Sequence, residues 1–371
     1  EQIVNLGYKN LVFNAFRPML PVPIHRTLAK DPLADFNLLV DAEVVAVSCQ
    51  KFACAENLFS PFPPEFDPEL FCAQGKVMDS WETKRHNDDP CDKLTLKLRH
   101  PDVVQYVSLS TKYHDGNQAQ FVRLLGRGAC DAEWREFLPK TSMNGHAGRY
   151  IRLDRPTANL TDVLIEMYPD GGLSRVGLYK FLPDSVQEPF KALSHSACVR
   201  FAEEIPKTHK PLVILYKPDP DEIRRNLASS LEKDYGSAAF GAVMVKATNE
   251  HYGPAVQVIS PFPAIHMFDG LESSRSRDIG HFEEVEIKLA REIQISRVVL
   301  DFKFFVNNNP RSVILFALVD GEWKDISGVV PVKAFAGNKK EIRVKEKVLS
   351  DQIRLRTLPD GGVHRIHIYE T

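Results

Sequence analysis

The chain contains an internal repeat, and this repeat constrains the possible folds more than any other feature of the sequence. The turn-like run Pro169-Asp170-Gly171-Gly172 returns as Pro359-Asp360-Gly361-Gly362, 190 positions later. Other segments return in the same order at nearly the same spacing: Asp79-Ser80-Trp81-Glu82 with Asp269-Gly270-Leu271-Glu272, Asn117 with Asn308, and Glu133-Trp134-Arg135 with Glu322-Trp323-Lys324. A regular repeat indicates a duplicated structural unit. The 371 residues also fit two domains of about 100–200 residues each.

Both copies have the residue pattern of β-strands. Apolar residues alternate with polar ones over residues 103–110 and 295–302, and β-branched and aromatic residues are frequent there. The Pro-Asp-Gly-Gly runs place Pro and Gly where a tight turn needs a fixed φ followed by a positive φ. Short strands separated by turn residues predict an all-β fold, a tandem repeat of two jelly-roll β-sandwich domains. Trp134 and Trp323 are expected to fill the two sandwich interiors.

The spacing of prolines and of the repeat predicts four segments. Residues 1–35 form an N-terminal arm, 36–180 a first sandwich, 181–236 a linker and 237–371 a second sandwich. Within the linker, residues 222–231 have helical spacing, and Asp219 or Asp221 is placed to cap this helix.

Composition excludes several classes of protein. A net charge of -2 provides no basic surface for nucleic acid. No stretch approaches the roughly 20 apolar residues of a membrane-spanning helix, so neither nucleic acid nor a membrane is expected as a partner. The six cysteines are irregularly spaced and show no C-x-x-C pair, which favours buried, reduced thiols and a cytoplasmic location. The histidines His86, His114, His251 and His281 lack ligand-like spacing, and no metal or other cofactor is predicted.

A cluster of charged residues precedes a predicted strand in each half. Residues 76–86 combine Asp79 and Glu82 with Arg85 and an imidazole, and residues 268–281 hold a similar mixture. Guanidinium groups bind carboxylates and Asp or Glu accepts N–H groups, so such clusters fit a small, anionic, nitrogen-rich substrate. The alternative is a solvated turn in which Asp79 and Arg85 simply pair with each other, for about 1 kcal/mol at most.

Four asparagines lie in predicted loops of matching regions: Asn57, Asn117, Asn249 and Asn308. Side-chain amides favour turns and also hydrogen-bond to ureido groups, and the sequence leaves both interpretations open.

These motifs together resemble those of the allantoicase family over roughly residues 35–370. The run 79–85 is similar to the family's Asp-Gly-Trp-Glu-Thr-Arg-Arg, both Pro-Asp-Gly-Gly turns resemble its Pro-Asp-Gly-Gly-Ile-x-Arg, and residues 55–58 resemble its Ala-Glu-Asn-Leu. Residues 111–117 resemble its Asp-Thr-x-x-Phe-x-Gly-Asn run, and residues 248–253 resemble its Ser-Asn-x-His-Tyr-Gly. The resemblance implies galactose-binding-like jelly rolls, a homo-oligomer, and hydrolysis of the ureide allantoate to ureidoglycolate and urea in purine degradation.

The resemblance also implies roles for individual residues. The expected catalytic residues are Asp79, Glu82, Glu272 and His281. The expected substrate-binding residues are Arg85, Lys84, Arg275, Asp269, Asn57, Asn117, Asn249 and Asn308.

Several positions depart from the family pattern. Ser48-Cys49-Gln50 stands where the family has an acidic pair, and Pro90-Cys91-Asp92-Lys93 replaces its Gly-His-Asp-Trp. The second half retains Gly280-His281 but has Leu271, Ser273, Ser276 and Glu283-Glu284 at motif positions. A catalytically inactive binding or scaffolding protein with the same fold is therefore the alternative to an active hydrolase. A carbohydrate-binding pair of sandwiches is a third, by analogy of fold alone.

Overall fold

The computed structural model describes residues 11–12, 29–72, 75–191, 197–206, 216–332 and 339–371, and most of their regular structure is β-strand. The chain divides into two units, residues 1–208 and 209–371. Within the described ranges, no helix is long and apolar enough to cross a membrane.

The first unit is built from two antiparallel sheets. One has five strands in the order β2–β6–β11–β8–β9, and the other has four in the order β13–β7–β10–β14. The strands of this unit are β1 (Leu11–Val12), β2 (Glu43–Val47), β3 (Phe71–Cys72), β4 (Gly75–Lys76), β5 (Trp81–Glu82), β6 (Asp92–Asp102), β7 (Tyr106–Ser110), β8 (Phe121–Arg127), β9 (Arg135–Ser142), β10 (Ala147–Arg152), β11 (Leu160–Tyr168), β12 (Gly172–Leu173), β13 (Arg175–Tyr179) and β14 (Ala197–Arg200).

The core of the first unit lies between these two sheets because alternate side chains of every long strand point inward. Leu94 and Leu96 of the five-stranded sheet are fully buried and belong to the same apolar cluster as Val107 and Leu178 of the four-stranded sheet. The first unit is therefore a β-sandwich.

The second unit uses fewer and longer strands. They are β15 (Val243–Ala247), β16 (Leu271–Glu272), β17 (Glu283–Asp301), β18 (Ser312–Val319), β19 (Glu322–Asp325), β20 (Val330–Pro331), β21 (Lys339–Leu358), β22 (Gly362–Val363) and β23 (Arg365–Glu370). Strands β15–β17–β21–β18–β19 pair in that order, β23 pairs with the second part of β17, and β20 pairs with β18.

The long strands β17 and β21 each contribute to both layers of the second sandwich. Their pairing is irregular between Lys288 and Ile293, and side chains on either side of this point, such as Ile287 and Val298, belong to one buried cluster. By the repeat, β17 corresponds to β6 and β7 together, and β21 to β10 and β11. The prediction of an all-β tandem repeat of two jelly-roll sandwiches is confirmed.

The two Pro-Asp-Gly-Gly runs form turns that lead into β12 and β13 in the first unit and into β22 and β23 in the second. The Tyr168–Pro169 and Leu358–Pro359 peptide bonds are cis, and Gly171 and Gly361 have φ values of 136° and 137°. A Cβ atom on Gly171 would lie 2.7 Å from the backbone of Gln118. Glycine is therefore required at this turn both by its φ and by the close approach of the backbone.

Parts of the segment predicted as a linker, residues 181–236, belong to the two units. Strand β14 pairs with β10, and Phe190 of helix α1 (Glu188–Lys191) packs edge-on against Tyr179. Helix α2 (Pro220–Ala228) begins after Asp219, whose side chain accepts a hydrogen bond from the backbone N–H of Asp221 at 3.2 Å. Leu227 of this helix packs on the core of the second unit.

Of the expected N-terminal arm, the structure describes residues 11–12 and 29–35. Strand β1 pairs in parallel with β3, and Leu33 packs on the aromatic cluster that contains Phe190. Residues 1–10 and 13–28 lie outside the described part of the chain.

The prediction that Trp134 and Trp323 fill the sandwich interiors is wrong. Both rings are half-buried, and each lies against a guanidinium group: that of Arg127 is 4.5 Å from the Trp134 ring centroid and that of Arg354 is 4.0 Å from the Trp323 ring centroid. An indole can cover a cation at the surface of a sheet, so an aromatic residue in a strand pattern does not by itself indicate the interior. The buried indole is that of Trp81, which is 0% exposed.

The six cysteines are free thiols, as predicted. Their expected burial is only partly correct, because Cys54 and Cys91 are buried whereas Cys130 is exposed.

Candidate functional site

Each sandwich has a short two-stranded ladder, and this ladder positions the charged cluster. Strand β5 pairs with β12 in the first unit, and β16 pairs with β22 in the second. On the other side, Glu82 bridges to Ala53 and Glu272 bridges to Gly253. The two glutamates are therefore held between an early loop of their unit and its Pro-Asp-Gly-Gly turn.

Both glutamates accept a hydrogen bond from a matching asparagine. Asn117 Nδ2 donates to Glu82 Oε1 at 2.8 Å, and Asn308 Nδ2 donates to Glu272 Oε1 at 2.6 Å. The backbone carbonyls of Asn117 and Asn308 accept from Gly172 and Gly362, so the same loops are tied to the turns. The structure thus brings together four of the residues expected from the sequence in two equivalent carboxylate–amide pairs.

The next residue in each half fixes the turn. Thr83 Oγ1 and Ser273 Oγ each accept from the backbone N–H of the positive-φ glycine, Gly171 and Gly361, at 3.0 Å. The Thr-to-Ser difference between the halves preserves this hydrogen bond because only the hydroxyl is used.

Two arginines follow at equivalent positions in these segments. Arg85 is 4% exposed and Arg275 is 6% exposed. Guanidinium groups that remain almost entirely buried must be neutralised or hydrogen-bonded. Asp360, which is fully buried, accepts from the backbone N–H of Ser276 at 2.7 Å, directly beside Arg275.

A second carboxylate occupies an equivalent position in each half, and the sequence did not single it out as a functional residue. Asp92 accepts from Ser48 Oγ at 2.8 Å, and Glu283 likewise accepts from the hydroxyl of Thr248. Burial raises the pKa of Asp92 above its ordinary value, against the opposing effect of its hydrogen-bond donors. The repeat offset is the signal that could have found this pair, since the two carboxylates are 191 positions apart.

The two halves differ in what surrounds the second carboxylate. In the second unit, His281 Nε2 lies 2.7 Å from Glu283 Oε1, and Asn249 Nδ2 donates to the same oxygen at 3.0 Å. In the first unit, Asn87 Nδ2 contacts Asp92 at 2.5 Å, and Cys49 stands where the second unit has Asn249. In the second unit an imidazole therefore contacts this carboxylate directly.

The two aspartates of the cluster take part in ion pairs within their own units. Arg175 Nη2 lies 2.7 Å from Asp79 Oδ2, and Arg365 Nη2 lies 2.8 Å from Asp269 Oδ2. In the second pair, the arginine also donates to the backbone carbonyls of Phe262, Asp269 and His364. This geometry holds the loop before the short ladder onto β13 in the first unit and onto β23 in the second.

The remaining expected residues lie beside these groups. Asn57 is buried and donates to the carbonyl of Ser80 at 2.9 Å, which orders the backbone before Trp81. Lys84 is half-buried, and its backbone N–H contacts Cys49 Sγ at 3.4 Å. Within the described ranges, no group of three or more His, Cys, Asp or Glu is arranged to hold a metal ion.

Comparisons with known proteins agree with the internal repeat. A family model described as the allantoicase repeat matches residues 36–181 and 233–371. A probable allantoicase from Schizosaccharomyces pombe is 28% identical over 346 residues, which is 88% of this chain and 89% of the relative. The allantoicase of Saccharomyces cerevisiae is 27% identical over 354 residues, or 88% and 90% of the two chains. A crystal structure of allantoicase from the same yeast is 23% identical, covers 91% of this chain and 92% of that chain, and gives a TM-score of 0.36. Because the family model matches well over half of the residues, in two copies, the chain belongs to the allantoicase family.

Proposed function

We propose that this chain is a ureide hydrolase that converts allantoate and water into ureidoglycolate and urea in purine degradation. The observation that supports this most directly is the pair of matched glutamate–asparagine contacts, Glu82–Asn117 and Glu272–Asn308, each followed by a buried arginine. The match to the relatives named allantoicase covers about nine tenths of the length of those relatives. A catalytically inactive protein is therefore not the favoured alternative.

The substrate carries the groups that this arrangement recognises. Allantoate has one carboxylate and two ureido groups on a single methine carbon. Arg85 or Arg275 would pair with the carboxylate, since a guanidinium offers two parallel N–H donors. Glu82 or Glu272 would accept a ureido N–H, and its asparagine would hold the carboxylate in position for this contact.

The reaction breaks the bond from the methine carbon to one ureido nitrogen and forms a bond from that carbon to a water oxygen. The leaving nitrogen must gain a proton and the water must lose one, and acid–base groups accelerate both steps. We assign these steps to Glu272 and to the His281–Glu283 pair in the second unit, and to Glu82 in the first. Asp79 and Asp269 then serve as ion-pair partners that position the loop, instead of as direct contacts to substrate.

Urea release from allantoate by the purified chain is the decisive measurement. We expect release with the unaltered chain, and loss of about a hundredfold or more in Glu272→Gln, the size of effect typical of one acid–base group. Glu82→Gln separately measures the contribution of the first unit. A matched control is Glu250→Gln, since Glu250 Oε1 accepts a backbone N–H in the same region and Gln keeps that acceptor. Failure of the folded, unaltered chain to release urea would overturn the proposal.

We further propose that the chain forms a homo-oligomer in the cytoplasm. The edge strands β2 and β15 expose Val45, Val243 and Val245, and such edges favour association. Six free thiols fit a reducing compartment. Light scattering coupled to size-exclusion chromatography tests the first statement, with a monomeric mass as the contrary result, and fractionation of the native cells tests the second.

A further inference from the structure

A cavity of about 180 Å³ lies on the outer face of the four-stranded sheet of the first unit. Side chains alternate between the faces of a strand. Val107 and Leu178 point into the core, whereas Ser108, Gly177 and Tyr179 belong to the opposite face and line the cavity. The volume far exceeds the space that one water molecule needs and is below the roughly 300–1,000 Å³ of sites for drug-sized ligands. It suits a molecule of a few non-hydrogen atoms.

The repeat shows which residues let Tyr179 lie across this face of the sheet. In the first unit, Gly177 pairs across the sheet with Ser108, whereas the equivalent pair in the second unit is His367 with Val299. A Cβ on Gly177 would lie 1.9 Å from the Tyr179 hydroxyl. Two small residues thus replace two larger ones at one cross-strand position, and the Tyr179 hydroxyl turns back over the glycine to meet Ser108 Oγ at 2.8 Å.

The charges around the cavity favour a ligand without negative charge. Of the two cations that line it, Lys112 pairs with Glu203 and Arg175 pairs with Asp79. The remaining charge is the carboxylate of Asp31, which forms no ion pair with any described cation and whose Oδ1 accepts from the backbone N–H of Leu33 at 2.8 Å.

The carboxylate faces an aromatic wall. Burial, with an added effect of the Asp31 charge, raises the pKa of Tyr150 and of Tyr179, and both aromatic rings line the cavity. A carboxylate beside aromatic rings matches a flat group that carries two N–H donors: the N–H groups pair with the carboxylate and the flat face lies on a ring.

We propose that this cavity is a second ligand site, separate from the hydrolytic cluster, which binds a small molecule with a planar urea-type or guanidinium-type group through Asp31 and Tyr150. Allantoate is not the expected occupant, because it carries a negative charge and so does Asp31.

Ligand-observed saturation-transfer NMR on the full chain tests the proposal with three probes: N-methylurea, methylguanidinium and acetate. We expect saturation transfer to at least one of the two N–H probes and none to acetate. Transfer to N-methylurea identifies an uncharged ureide as the occupant, and transfer to methylguanidinium alone identifies a cation.

Two variants locate the binding. Asp31→Asn keeps the acceptor for Leu33 and removes the charge, and Ser108→Val introduces the residue that the second unit carries at this position. Both variants should bind the probe about tenfold more weakly than the unaltered chain. This is the loss of affinity expected for one charge-assisted hydrogen bond or for a filled cavity. Asp41→Asn, at an exposed carboxylate 3.9 Å from Arg99, is the control and should bind as the unaltered chain does. Absence of transfer to both N–H probes, binding by both cavity variants that is as strong as in the unaltered chain, or preference for acetate would each overturn the proposal.

Discussion

The ion pair between Asp269 and Arg365 provides a test of whether these aspartates hold the structure or carry out chemistry. The side chains are 4% and 2% exposed, and burial raises the pKa of Asp269 even though the Arg365 charge acts in the opposite direction. Asp269→Asn would leave the Arg365 guanidinium buried without its counter-charge. Breaking a buried pair in this way costs about 3–5 kcal/mol.

The cost can be converted into a thermal shift for the second unit. This unit comprises residues 209–371, or 163 residues, and 1 kcal/mol lowers Tm by about 2–4 °C in domains of this size. Differential scanning calorimetry of Asp269→Asn should therefore show the transition of the second unit lower by about 6–20 °C. Asp79→Asn should shift the first unit less, because the Asp79 and Arg175 side chains are each 12% exposed.

The reasoning would be refuted if Asp269→Asn lost urea release while its Tm stayed within about 1 °C of the unaltered chain, a shift too small for a broken buried pair. That result would return Asp269 to the substrate-contacting role that the sequence resemblance implied.

Three further perturbations test other parts of the structure. Burial lowers the pKa of His364 to about 3, so the unfolded chain binds a proton below pH of about 6.5 that the folded unit does not. The free energy of unfolding of the second unit should therefore fall by up to about 1.4 kcal/mol per pH unit as the pH drops from about 6.5 towards 3. His364→Gln should reduce this slope, which urea titrations at several pH values measure. Cys130 is exposed whereas burial raises the pKa of Cys54 to about 12, so a maleimide should label Cys130 rapidly and Cys130→Ser should abolish the fast phase, as mass spectrometry can measure. Trp81 is 0% exposed, and Trp81→Ala should destabilise the first unit by about 3–5 kcal/mol in denaturant unfolding, with a change below about 1 kcal/mol counting against its place in the core.

The sequence was sufficient to predict the duplicated sandwich because the evidence for it is local and repeated. Alternating strands and the Pro-Asp-Gly-Gly turn depend on side-chain period and on φ, both of which are readable from residue types. The same spacing also predicted that Glu82 and Glu272 occupy equivalent places, and the two asparagine contacts agree with this.

The partners of charged residues could not be predicted in this way. Asp79 lies next to cations in the sequence, yet its ion-pair partner is Arg175, 96 positions away on the closing strand. Asp92 and Glu283 lie at motif positions, but no role was assigned to them because each stands at the start of a strand, where a carboxylate is commonly a solvated residue. Contacts that span most of a domain depend on strand register, which single-sequence patterns do not determine.

The two units differ in how their layers are joined. In the first, residues 103–105 separate β6 from β7, and residues 153–159 separate β10 from β11, whereas in the second β17 and β21 run on without a break. The two layers of the second sandwich are therefore joined by continuous strands that pair with each other on both sides of the irregularity between Lys288 and Ile293. We expect the layers of the second unit to exchange their amide protons in one cooperative opening, and those of the first to open in separate steps. Duplication has thus produced two sandwiches of similar plan, and the cooperativity of their local unfolding is expected to differ.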